Sequence, residues 1–128
     1  MKLNPACVRA VLLTVESETD ATHFFALDRS EPLGDLSEYS YDEILYHIRQ
    51  CSMASLIVGL FEADGGDYIR ISDLSPAGHE FLANVRSDTV WKKVLGVAGD
   101  LCIESLSDLS QIAALSAVQI IRAHFGLL

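Results

Sequence analysis

The chain has 128 residues, of which 50% are apolar and 21% charged, and a mean hydropathy of +0.28. That is enough to bury one core of ordinary size, and it excludes a disordered or low-complexity segment. Eighteen acids against nine bases leave a net charge of −9, which disfavours a nonspecific grip on nucleic acid or anionic lipid and suits a basic partner.

Asn4 followed by Pro5 predicts a helix start, a capping side chain before a residue with no amide hydrogen to orphan. Val8, Val11, Leu12 and Val15 then fall on one helical face. The apolar run at the start is interrupted by Asn4, Pro5 and Arg9, with no small-residue cleavage site, so no secretory signal is expected. From Glu16 to Glu43 nine acids stand against the single base Arg29. Within this stretch only His23 to Leu27 reads as a strand, and no helix is expected before Ser40.

Ser40-Tyr41-Asp42-Glu43 has the reciprocal capping pattern and opens a second helix. Ile44, Leu45, Ile48 and Cys51 form its apolar stripe; Glu43, Tyr46, Arg49, Gln50 and Met53 lie mostly on the other side, with His47 at the boundary. Leu56 to Glu62 and Tyr68 to Leu74 read as two strands joined by a hairpin turn at Asp64-Gly65-Gly66-Asp67. Ser75-Pro76 starts another helix carrying Phe81, Leu82 and Val85. A fourth begins at Ser87-Asp88 and carries Val90, Trp91, Val94 and Leu95. The last begins between Ser105 and Ser107.

That last helix is apolar over more than half its circumference. The stretch Ile112 to Leu128 is nevertheless broken by Ser116, Gln119, Arg122 and His124, too often to span a bilayer. Its apolar surplus predicts self-association, most simply as a dimer, through Leu109, Ile112, Leu115, Val118 and Ile121.

Helix, strand, helix, ribbon, helix is the element order of a winged-helix domain, here expected over residues 1–87, with a helical extension over 88–128 and an α+β class. Tyr46-His47-Ile48 with Leu56-Ile57, the run Asp73 to Leu82 containing Gly78-His79-Glu80-Phe81-Leu82, and Asp88 with Val90-Trp91-Lys92-Lys93 resemble a bacterial, phage and prophage family known only as a domain of unknown function. The resemblance covers roughly residues 1–95 and brings no catalytic residues with it. Leu74-Ser75-Pro76-Ala77-Gly78 is also similar to the corresponding segment of winged-helix transcription regulators, which bears on fold more than on function.

Chemical motifs are scarce. Glu80 follows His79, but Ala83 stands where a zinc protease helix needs its second histidine. His47 and Cys51 are four apart with no second ligand pair at matching spacing. Gly65-Gly66 lies in a hairpin and not between a strand and a helix, so it is a turn and not a phosphate cradle. No serine or cysteine sits in a nucleophile context. Cys7, Cys51 and Cys102 are odd in number and far apart, as expected of buried free thiols in a reducing bacterial cytoplasm. No catalytic residue, metal or cofactor is expected.

Duplex recognition needs about 6 to 10 phosphate contacts from bases. From Ser40 to Leu74 only Arg49 and Arg70 are basic, against six acids. The sequence therefore favours a non-enzymatic protein that binds a basic host surface through Asp28, Glu31, Asp35, Glu38, Asp42, Glu43, Asp64 and Asp67. Blocking a nucleic-acid-handling or defence complex, in the manner of an anti-CRISPR or anti-restriction protein, is the role this implies. The alternative is a sequence-specific DNA-binding regulator reading with Tyr46, Arg49 and Gln50.

Overall fold

A computed structural model of the chain describes residues 1–126; Leu127 and Leu128, the end of the expected helical extension, lie outside the described residues. Five α-helices form: α1 (Pro5–Glu18), α2 (Tyr41–Met53), α3 (Pro76–Val85), α4 (Asp88–Asp100) and α5 (Leu106–His124). Each begins where the sequence offers a side-chain acceptor. Asn4 accepts from the Ala6 amide, Ser40 from Glu43, Ser75 from Gly78, Ser87 from Val90 and Ser105 from Asp108, so each start gains a partner for one orphan donor. Between α1 and α2 the only helical element among the described residues is a 3-10 turn, Gly34–Leu36, pinned by the fully buried Leu36.

The strands are β1 (Phe25–Asp28), β2 (Ile57–Val58), β3 (Phe61–Ala63), β4 (Tyr68–Ile71) and β5 (Asp73–Leu74). β1, β4 and β3 make an antiparallel sheet in that order, with Ala26 and Phe61 on either side of Arg70; β2 pairs antiparallel with β5. The two expected ribbon strands are thus each broken. The break lies where Gly59, at φ 70°, passes Ser72 so closely that a Cβ on Gly59 would stand 2.1 Å from the Ser72 hydroxyl oxygen. β1 starts at Phe25 and not His23, because the Asp20 carboxylate takes the Thr22 and His23 amides and turns the chain there.

α1 packs against α2 and α3, and α5 against α3 and α4. The stripe Val8, Val11, Leu12 and Val15 is wholly buried with Ile44, Ile48, Ile69, Ile71 and Leu82. Two core expectations change. His47 is fully buried rather than at a boundary, and Cys102 is exposed in the turn after α4, at φ 52°. No helix among the described residues is long and apolar enough to cross a membrane. The class is mixed α+β.

α5 has two apolar faces. Leu106, Leu109, Ala113 and Ala117 are buried, while Leu115, Val118 and Ile121 remain exposed. Leu109, expected at a self-association surface, is instead part of the chain's own core with no exposed surface. Ile112 sits between the two states.

Candidate functional site

The surface formed by α2, the β3–β4 ribbon and the segment leading into α2 gathers most of the charged residues singled out above. Arg29, just past β1, is its centre. Its Nε donates to Asp67 at 2.7 Å, its Nη1 lies 2.9 Å from Asp42, and its guanidinium stacks 4.5 Å above the Tyr41 ring. These two carboxylates drive the arginine above its usual pKa, the Asp67 bond contributing most. Under the arginine, the Tyr41 hydroxyl donates to the Gly66 carbonyl at 2.7 Å, tying the ribbon tip to the first turn of α2. Burial raises the Tyr41 phenol, with Arg29 opposing. Gly66 is needed there: at φ 98°, a Cβ would meet Leu45 at 2.8 Å and the Arg49 guanidinium at 3.0 Å.

Arg49, the one cation on the exposed face of α2, donates to both oxygens of Glu62 on β3, the shortest bond being 2.6 Å. That fork lowers the Glu62 carboxyl. Arg70, on the outer face of the sheet, is stacked between Phe24 and Phe61 at 4.9 Å from each ring. All three arginines of this surface are therefore engaged inside the molecule.

The candidate acids divide into two groups. Asp42 and Asp67 clasp Arg29, Glu43 accepts from the Asn4 side-chain amide at 2.9 Å, and Asp28 accepts from the Ser30 hydroxyl and amide, which lower its carboxyl. These four fix local structure. Glu31, Asp35 and Glu38, exposed along the segment between β1 and α2, and Asp64 at the ribbon tip have no salt-bridge partner among the described residues. Of the candidate reading residues, Arg49 is exposed, while Tyr46 and Gln50 are half-buried.

His47 meets groups that its spacing from Cys51 does not reveal. Ligand atoms of Cys7, Glu43 and His47 lie within 4.8 Å of one another. Both His47 nitrogens are already used: Nδ1–H donates to the Glu43 carbonyl at 2.7 Å and Nε2 accepts the Asn4 amide at 2.8 Å. Burial, with Glu43 and Glu38 adding to it, pushes the Cys7 thiol up to about 12. A metal would have to displace the Asn4 amide and strip a reluctant thiol, so the trio is better suited to joining α1 and α2 than to ligation. Only contacts between residues that lie 39 and 43 positions apart in the chain reveal it, and no local signal does.

A family model described as "Hypothetical protein (DUF2513)" matches residues 2–101. The chain belongs to this family. The matched span contains α1 through α4 with all the strands, and ends before α5. The chain is also similar to a protein of Haemophilus influenzae (strain ATCC 51907 / DSM 11121 / KW20 / Rd) described as "Uncharacterized protein", 26% identical over 123 residues that cover 87% of this chain and 93% of the relative. No solved structure matches the chain.

Within that span, Val90 and Trp91 are buried and Lys92 and Lys93 exposed. Arg9 stacks 5.1 Å from the Trp91 ring and donates to the Val85 and Arg86 carbonyls, locking α4 to α1 and α3. His79 and Glu80 lie exposed on α3.

Proposed function

We propose that residues 1–87 are a winged-helix scaffold of phage or prophage type that acts by docking a basic surface of another protein, with no chemistry of its own. A nucleic-acid-handling or defence complex of the bacterial host is the fitting target, since such a complex presents cations to phosphate. In this reading α2 occupies the place of the reading helix and the β3–β4 ribbon that of the wing.

One observation carries it. Arg29, Arg49 and Arg70, the cations on the surface where such a scaffold meets a duplex, are held by Asp42 and Asp67, by Glu62, and by two phenylalanine rings. Carboxylates at 31, 35, 38 and 64 are exposed and have no salt-bridge partner among the described residues. Duplex binding would first have to break these contacts and then add phosphates to a negative surface. A cationic protein surface gains from the same field, and its association is steered by it.

The structure also identifies which carboxylates to reverse. Changing Asp42 or Glu43 disturbs the Arg29 clasp or the Asn4 joint, whereas Glu31→Lys, Asp35→Lys, Glu38→Lys and Asp64→Lys together remove no ion pair among the described residues. Affinity capture from host extract at low and high salt is the test. The reading expects a basic protein retained by the wild type at low salt, released at high salt and not retained by the quadruple variant. Equal capture by both proteins contradicts it.

A further inference from the structure

α5 buries one apolar arc and leaves large apolar side chains exposed on the other. The arc turned to α3 and α4 carries Leu106, Leu109, Ala113 and Ala117, whereas on the opposite arc Leu115, Val118, Ile121 and Phe125 keep 66%, 49%, 56% and 70% of their surface in solvent. Ala114, Val118, Ile121 and Phe125 follow the four-three-four spacing with which one helix lays a seam along another. These exposed side chains amount to roughly 400–500 Å² of apolar surface per copy. With their polar rim, two copies facing each other bury on the order of 1,200 Å², the lower bound for a stable interface.

We infer that this face binds the same face of a second copy, the two α5 helices running antiparallel about Leu115. Charge favours a second copy over any other occupant. Asp108 and Arg122 are both exposed, without a salt-bridge partner among the described residues, and stand seven residues either side of Leu115. Seven residues are close to two helical turns, so the three positions share one side of α5. In an antiparallel pair centred on Leu115 each Arg122 faces Asp108 of the other copy, and the symmetry makes the match twice.

Shape agrees with charge. A groove of about 490 Å³ runs between α3 and α5, with Phe81, Asn84, Ser107, Gln111 and Ala114 in its wall. In this register Phe125, ten residues beyond Leu115, comes over the Ser107 end of the other copy's groove. Projection and recess are on the same surface, as an isologous contact requires. This inference does not depend on the docking reading, because it concerns α5 and not the surface of α2 and the ribbon.

Light scattering on the full chain across a concentration series tests it. The wild type is expected at twice 14.0 kDa at micromolar concentration, and Leu115→Asp at the single-chain mass with its circular dichroism melt retained. Asp108→Arg and Arg122→Asp are each expected to weaken association about ten-fold, and the two together to restore it. A monomeric wild type, or a dimer indifferent to Leu115→Asp, overturns the interface. Failure of the folded double variant to recover, when each single variant weakens association, overturns the antiparallel register.

Discussion

His47 shows how a polar residue is accommodated where α1 meets α2. It is fully buried, yet one nitrogen donates and the other accepts, and Asn4 both caps α1 and reaches the Glu43 carboxylate. The sequence shows the cap but not the joint, since helical periodicity places His47 on a face without saying what the other helix brings to it. Asp20 is a second residue whose role depends on its neighbours. The Thr22 amide chiefly, with the His23 side chain next, holds its carboxyl down at about 2. A depressed carboxylate contributes stability that is present above its unfolded value near 3.8 and lost as pH falls through about 2. Melting curves of the wild type and Asp20→Asn are therefore expected to differ at neutral pH and to converge between about pH 4 and pH 2. A difference that stays constant across that range contradicts the assignment.

At the scale of elements, every helix start is legible because one capping side chain settles it locally. The ribbon is less legible: Leu56 to Phe61 is apolar except at Gly59, so nothing in the run itself marks a break, and the close approach of Gly59 to Ser72 divides both strands. α5 is legible as apolar but not as two-faced. Which apolar arc goes inward depends on how α3 and α4 meet it, and the small residues Ala113, Ser116 and Ala117 win because they let the helices approach. The start of α3 is a similar close approach. Ser75 caps Gly78 and donates to the Ser55 carbonyl, and a Cβ on Gly78 would stand 2.1 Å from the Leu56 carbonyl oxygen. Neither atom can yield without moving backbone. Gly78→Ala is expected to destabilise the protein by about 1–3 kcal/mol in urea titration, despite alanine's better helix propensity. A neutral or stabilising effect shows that α3 can shift off the Leu56 carbonyl without loss.

Over the whole molecule the charge of −9 is distributed unevenly. On the surface around α2 the cations are matched or stacked and several acids are not, whereas Lys92, Lys93 and Arg122 lie exposed on α4 and α5, with Lys93 donating to Gln119. The excess of acids from Glu16 to Glu43 is visible in the sequence. What composition does not show is that Arg29, Arg49 and Arg70 are already engaged, because their partners come from other elements. That engagement separates a protein-docking reading from the regulator reading that element order alone suggests. Fluorescence anisotropy with a labelled mixed-sequence duplex at low salt tests it most directly. The account predicts no saturable rise in anisotropy at micromolar protein, for the wild type and Arg49→Ala alike; saturable binding that Arg49→Ala abolishes contradicts it.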